Sequence, residues 1–137
     1  MRALANDGKV ILISFEHKEH QHVAEKFARL NAPNLELHNF YRHEAVEEER
    51  AEPVDFDLAA EGIEFAHSCI ERMPDVLILD ELTDVIERGL VKLERVTSLL
   101  EKVPDQTTVI ITGKNAPAVL MHMADTATNF EKLKEKD

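Results

Sequence analysis

The 137-residue chain has little cysteine, glycine or proline, and it has no tryptophan. Its one cysteine, Cys69, cannot form an internal disulfide, so nothing in the sequence requires an oxidising compartment and we expect a cytoplasmic protein. With 4 glycines, 5 prolines and 44% apolar residues, collagen-like and disordered chains are excluded. The composition therefore predicts a folded domain with its own hydrophobic core.

Long apolar runs and an excess of positive charge are also missing. The longest apolar run, Val10–Ile13, is far shorter than the roughly 20 residues of a membrane-spanning helix, and the N-terminus shows no signal-peptide pattern. Sixteen basic residues stand against 27 acidic residues, and the resulting net charge of −11 argues against a surface that binds phosphate backbones. We expect neither a membrane nor a nucleic acid as a partner.

Much of the acidity lies in residues 44–61, where eight acidic side chains accompany one basic side chain, Arg50. A solvated loop or helix face explains such a segment. A mobile lid over a binding site is the alternative interpretation.

The chain contains four short apolar runs: Val10–Ile13, Leu35–Leu37, Val76–Leu79 and Val109–Ile111. They are nearly continuous rather than alternating, which is typical of strands buried on both faces of a parallel sheet. The segments between them have helical spacing of apolar residues, over residues 19–30, 57–73 and 92–103, and a last helix starts with Pro117 in its first turn. Asp55 or Asp57 could cap the second helix.

This order of strands and helices predicts the α/β class, with a parallel sheet covered by helices on both faces. We expect one domain over residues 1–130 and a frayed, charged tail over residues 131–137. Ligands of such sheets bind beyond the carboxyl ends of the strands, so the residues that follow each apolar run are the candidates for function.

The run Val76–Leu79 ends in two adjacent carboxylates, Asp80 and Glu81. This is the pattern of a Walker B strand, in which an acidic side chain holds Mg²⁺ directly or through water. An ordinary buried strand that ends in a helix-capping aspartate is the alternative.

The run Val109–Ile111 is followed by a hydroxyl, a glycine, a cation and an amide: Thr112, Gly113, Lys114 and Asn115. They precede a predicted helix, whose free N–H groups would favour an anion such as a nucleotide phosphate. Alternatively, the segment is a simple strand–turn–helix junction in which Gly113 makes the turn and Asn115 caps the helix.

Three histidines, His17, His20 and His22, follow the first apolar run. Their spacing matches no recognised metal site, so a solvated surface is the simpler interpretation. Capture of Zn²⁺ or Ni²⁺ by a structural or metal-binding oligomer is the alternative.

Taken together, these segments resemble the ATP:corrinoid adenosyltransferases. The matching pieces are Asp-Val-Leu-Ile-Leu-Asp-Glu-Leu at 75–82, Gly89-Leu90 before the helix that ends at Pro104, the segment 109–117, and Leu-Met-His-Met-Ala-Asp at 120–125. A weaker resemblance extends upstream through residues 2–4 and 8–15.

The resemblance implies a RecA-like P-loop architecture and transfer of the 5′-deoxyadenosyl group from ATP to a Co(I) corrinoid, with release of triphosphate. It places Asp80 and Glu81 at an Mg²⁺–ATP site, with Glu81 as the catalytic residue. Thr112, Gly113, Lys114 and Asn115 would line the nucleotide pocket, and Phe40 and Tyr41 would face the corrinoid. Packing in the core, which is common for aromatic side chains near a strand end, is the alternative for Phe40 and Tyr41. Reduced cobalt is itself a strong nucleophile, so no general base is needed.

The sequence departs from this family in two respects. Lys114 stands where the family usually has arginine. A planar guanidinium that can donate two hydrogen bonds side by side is thus replaced by an ammonium group, which acts as a point charge. No G-x-x-x-x-G-K-[ST] segment occurs in the printed sequence, so we expect a weakened or inactive enzyme that lacks the P-loop and its strand. A non-catalytic corrinoid-binding or regulatory homologue is the alternative, and the missing strand predicts a homo-oligomer.

Overall fold

The computed structural model describes residues 8–16, 34–42 and 51–124. These residues form four strands and four helices, in the chain order β1 (Val10–Ser14), β2 (Leu35–Asn39), α1 (Pro53–Glu71), β3 (Val76–Asp80), α2 (Leu82–Glu87), α3 (Leu93–Glu101), β4 (Thr108–Ile111) and α4 (Ala118–Met123). All four strands lie where the apolar runs predict them. The predicted helix over residues 19–30 and the tail 131–137 lie outside the described residues.

The strands form one parallel sheet in the order β2-β1-β3-β4. The register aligns Ser14, the last residue of β1, with Asn39 of β2 on one side and Asp80 of β3 on the other. The predicted α/β class with a parallel sheet is therefore confirmed. All strands end at one edge, which is the edge where the candidate residues of the sequence are found.

Both faces of the inner strands are buried, which explains why their sequences are apolar without alternation. On one face, Ile11, Ile13, Leu77 and Leu79 belong to the main core together with residues of α1 and α3. On the other face, Val10 and Val76 are buried with apolar side chains of the outer strands packed against them. Burial of each such side chain stabilises the fold by about 1.5–3 kcal/mol.

Helix α1 begins earlier than its apolar spacing predicts, and the prediction of Asp55 or Asp57 as its cap is wrong. Glu52 is the N-cap and Pro53 occupies the first helical position, where its missing N–H costs nothing. Asp55 lies at the third helical position, and its carboxylate accepts a hydrogen bond from the Glu52 amide at 2.8 Å. Asp57 is exposed.

Two further boundaries differ from the prediction. Helix α2 has six residues, too few for a helical period to be recognised in the sequence, and it begins directly after β3. Pro117 is the N-cap of α4 rather than a residue of its first turn.

Two other expectations concern α1. In the acidic segment, Asp57 and Glu61 are exposed on α1 and Asp55 is half-buried, whereas residues 43–50 lie outside the described part. Cys69 is buried as a free thiol on this helix, and its burial raises its pKa.

No helix within residues 8–16, 34–42 and 51–124 is long and apolar enough to cross a membrane.

Candidate functional site

The carboxyl edge of the sheet carries a row of polar side chains. Asn39, Ser14 and Asp80 are aligned by the strand register, and aligned residues of parallel strands project from the same face. Thr112 follows β4 at the same edge. Ser14 is fully buried, and its hydroxyl has no hydrogen-bond partner in the described part of the chain. Leaving such a group unsatisfied costs about 1–3 kcal/mol, so this edge is better suited to a polar ligand than to apolar packing.

The hydroxyl of Thr112 joins the two residues that follow the apolar run of β3. It donates a hydrogen bond to Oδ1 of Asp80 at 2.7 Å and accepts one from the backbone N–H of Glu81 at 2.9 Å. Asp80 therefore does not cap α2, whose N-cap position is held by Glu81 without a side-chain cap. The interpretation of Asp80 as a helix cap is wrong.

Glu81 has a left-handed backbone conformation, with φ 62° and ψ 26°. A non-glycine residue in this region carries strain of about 1–3 kcal/mol, and such strain clusters at functional sites. The conformation makes an abrupt turn between the end of β3 and the start of α2, and Glu81 is only 6% exposed.

Three carboxylates converge beside this turn. Oxygen atoms of Glu16, Glu81 and Asp84 all lie within 4.8 Å of one another. Arg88, at the end of α2, contacts Glu16 with an N–O distance of 3.0 Å and partly offsets the negative charge. Because hard divalent cations prefer oxygen ligands, this donor set is compatible with Mg²⁺.

The turn after β4 packs tightly against α2. Gly113 has φ 148°, a backbone conformation that side chains rarely adopt, and a Cβ atom there would overlap the hydroxyl of Thr83 and lie 2.8 Å from its Cβ. The next backbone N–H, that of Lys114, donates to Oδ1 of Asp84 at 3.1 Å. These contacts hold the turn over the buried start of α2.

Of the four predicted nucleotide-binding residues, the structure brings Thr112, Gly113 and the backbone of Lys114 together with Asp80 and Glu81. Asn115 lies farther out, where its side-chain amide is 3.4 Å from both carboxylate oxygens of Glu87. Asn115 does not cap the last helix, so that part of the alternative interpretation is wrong. The part that assigns the turn to Gly113 is confirmed by its positive φ.

Phe40 and Tyr41 follow β2 at the same edge, two strands away from β3. At a strand spacing of about 4.8 Å, this separates the ends of β2 and β3 by roughly 10 Å. Phe40 is half-buried, its N–H donates to the carbonyl of Ser14 at 2.8 Å, and its ring centroid lies 5.6 Å from that of Phe65. Tyr41 is also half-buried.

The next residue, Arg42, makes a two-pronged contact with α1. Its Nε and Nη2 donate to the two carboxylate oxygens of Asp55, each at 2.8 Å. Burial alone would raise the pKa of Asp55, but the hydrogen bonds from Arg42 and from the Glu52 amide hold this pKa below its ordinary value. The carboxyl of Asp55 therefore stays ionised and keeps its contact with Arg42.

Sequence patterns missed Glu16 and Asp84 as members of the acidic cluster. Glu16 lies two residues beyond the end of β1, whose last residue, Ser14, is the one aligned with Asp80, so inspection of the residues that follow every strand could have found it. Asp84 lies in a helix too short to be recognised. The three histidines His17, His20 and His22 lie outside the described residues.

The parallel sheet and the buried acidic residues after an inner strand place the protein in the RecA-like class of α/β folds. The sequence profile of the family described as ATP:corrinoid adenosyltransferase BtuR/CobO/CobP matches residues 1–136. The chain belongs to this family.

Curated relatives match over a shorter segment. The chain is 37% identical over 60 residues to the corrinoid adenosyltransferase of Escherichia coli K12 and, over the same length, to the corrinoid adenosyltransferase CobA of Salmonella typhimurium LT2. Each match covers 44% of this chain and 31% of the relative. An uncharacterized protein of Nostoc, all2391, is 33% identical over 58 residues, which are 42% of this chain and 15% of that protein. The chain thus spans about a third of the length of these adenosyltransferases.

Proposed function

We propose that this protein acts as a corrinoid adenosyltransferase, at the carboxyl edge of its sheet. In the proposed reaction, Co(I) of a reduced corrinoid attacks C5′ of the ribose of ATP. The cobalt–carbon bond forms, the bond from C5′ to the triphosphate oxygen breaks, and triphosphate leaves with its electron pair. The observation that carries the proposal is the bridge from the Thr112 hydroxyl to Asp80 and Glu81, in a member of this family.

The residues present fit a hydrated Mg²⁺ ion. Glu16, Glu81 and Asp84 offer oxygen ligands in one place, and the hydroxyl of Ser14 adds a buried polar group at the same edge. When bound with ATP, Mg²⁺ would neutralise charge on the leaving triphosphate. Asp80, whose carboxylate is fixed by Thr112, would take part directly or through a water molecule.

The chain's own residues contribute by positioning the substrates in a site that is already ordered. Glu81 is held by a strained turn and by the hydrogen bond from its amide to Thr112, so little reorganisation is needed when substrate binds. Lys114 extends from a turn that is fixed to Asp84 by its backbone, and its cation supports binding of the triphosphate. Placement of the two substrates is the main contribution expected, because the cobalt nucleophile needs no base.

The corrinoid is assigned to the neighbouring segment that contains Phe40 and Tyr41. Phe40 and Tyr41 are half-buried after β2, which neighbours the strand that leads to Glu16, and Phe40 also packs against the main core. The separation of roughly 10 Å between the ends of β2 and β3 suits two substrates that lie side by side along the sheet edge. The one cysteine of the chain is a buried free thiol, which is compatible with the cytoplasmic location included in this proposal.

The test supplies the 137-residue protein with Mg²⁺–ATP and a chemically reduced corrinoid under anaerobic conditions. We expect the 5′-deoxyadenosyl corrinoid, identified by mass, and triphosphate in equal amounts. Calorimetry measures ATP binding separately. We expect millimolar affinity from a sequence without G-x-x-x-x-G-K-[ST], and micromolar affinity would contradict this expectation. Corrinoid binding without transfer would favour the regulatory alternative, and binding of neither substrate would contradict both.

We also propose that the protein associates with itself. Within the described sheet, β4 pairs only with β3, and its apolar side chains Val109, Ile110 and Ile111 are half-buried. An edge with open backbone groups favours pairing with another chain. Light scattering at micromolar concentration should therefore give a mass above 15.6 kDa, and a strictly monomeric species would contradict the proposal.

A further inference from the structure

The segment that follows β2 is anchored at both ends. At its start, the N–H of Phe40 donates to the carbonyl of Ser14, and the ring of Phe40 packs near that of Phe65. At its end, the guanidinium of Arg42 donates two hydrogen bonds to the carboxylate of Asp55. Tyr41 lies between these two anchors.

The contact between Arg42 and Asp55 is more than an ordinary surface ion pair. The side chains are only 18% and 12% exposed, and the two hydrogen bonds are parallel and equal in length. Two-pronged, charge-assisted contacts of this kind fix orientation as well as distance. Glu52, at the cap of α1, adds a contact to Nη1 of Arg42 at 3.4 Å.

The same pair is linked to the acidic cluster by a series of alternating charges. Arg88 lies close enough for its charge to act on Asp55, and its guanidinium contacts Glu16. Glu16 is in turn one of the three carboxylates that converge with Glu81. The pair of Arg42 and Asp55 therefore lies near the charged groups of the acidic cluster.

We propose that Arg42 and Asp55 form a positioning pair, which holds the Phe40–Tyr41 segment in the orientation that receives the reduced corrinoid beside the nucleotide. This inference rests on the proposed function. Neither residue contacts the reacting atoms, and both act through the aromatic segment that they hold in place.

The chain offers a matched control. Arg72 and Glu36 form another arginine–carboxylate pair between α1 and β2, with an N–O distance of 2.6 Å. Arg72 follows the last residue of α1, whereas Asp55 lies in its first turn, so the two pairs lie at opposite ends of the helix. The variants to compare are Arg42→Gln, Arg42→Lys and Arg72→Gln.

The first measurement needs no substrate. Tyr41 is the only tyrosine and the chain has no tryptophan, so intrinsic fluorescence reports on this segment alone. We expect quenching by acrylamide, a neutral probe, to increase about twofold in Arg42→Gln and to stay unchanged in Arg72→Gln, because only Arg42 holds the segment that contains Tyr41. Unchanged quenching in Arg42→Gln overturns the inference.

The second measurement separates the kinetic constants. We expect Arg42→Gln to raise KM for the corrinoid about tenfold or more, with KM for ATP and kcat little changed, since two charge-assisted hydrogen bonds are lost. Arg42→Lys keeps the positive charge but cannot donate the two paired hydrogen bonds of the guanidinium. We therefore expect a thermal unfolding midpoint close to that of the wild type and a corrinoid KM that stays raised. An unchanged corrinoid KM, or full recovery by lysine, overturns the inference.

The two measurements distinguish this inference from the proposed function. If quenching increases in Arg42→Gln but the wild-type protein neither binds nor converts a corrinoid, the proposed function fails and the positioning role fails with it. If the wild-type protein is active and quenching is unchanged, only the positioning role is overturned.

Discussion

Replacing Glu81 with glutamine is expected to lower kcat/KM for adenosyl transfer by about 100-fold without lowering the stability of the fold. The change keeps the size of the side chain and removes one of three carboxylates whose oxygens lie within 4.8 Å of one another. Repulsion among the remaining groups decreases, while the proposed ligand set for Mg²⁺ loses a charge. Activity and stability should therefore respond differently, as is typical of residues placed for function.

The measurement combines transfer kinetics over a range of Mg²⁺ concentrations with thermal unfolding. Glu71→Gln is the matched control, because Glu71 is exposed at the end of α1. Transfer at the wild-type rate by Glu81→Gln would contradict the assignment of Glu81. An equal loss in Glu71→Gln would show that the effect is one of overall charge.

Replacing Gly113 with alanine is expected to destabilise the protein by about 3 kcal/mol or more, because two costs add together. The backbone at φ 148° is strained for any side chain, and the new methyl group would overlap the Thr83 hydroxyl. Thr83 is buried at the start of α2, so it has little room to move away. The hydrogen bond from the Lys114 amide to Asp84 should be disturbed in the same step.

Gly89→Ala separates these two costs. Gly89 also has a positive φ, of 79°, but a Cβ atom there would have no atom of residues 8–16, 34–42 or 51–124 within 4 Å. We expect Gly89→Ala to cost only the backbone strain, about 1–2 kcal/mol, as measured by chemical unfolding. Equal losses in the two variants would contradict the close contact between Gly113 and Thr83.

The carboxyl edge of the sheet contains several features that oppose folding. A left-handed glutamate, a buried hydroxyl without a partner in the described residues and three neighbouring carboxylates all lie at the carboxyl edge of the sheet. Each of these features opposes folding when considered alone. Their concentration at one edge, while the rest of the inner strands is apolar and buried, is what we expect of a site that binds a charged ligand.

Part of this edge could be predicted from the sequence. Asp80 and Glu81 follow an apolar run, and Thr112 and Gly113 follow another, so the rule that ligands bind at the carboxyl ends of parallel strands brought both pairs to one edge. The ends of the helices were harder to predict from the sequence. The start of α1 is set by the cap at Glu52 and by Pro53, which apolar spacing does not detect, and α2 is shorter than two helical turns.

By itself, the sequence determined the four strands, their parallel arrangement and the acidic residues at the end of β3, because short apolar runs without alternation indicate strands buried on both faces. Only the tertiary structure decided which side chains meet. Glu16 and Arg88 are 72 positions apart, and Glu81 and Thr112 are 31 apart. Such contacts depend on the strand order and register, which arise from packing of the whole sheet and leave no periodic signal along the chain.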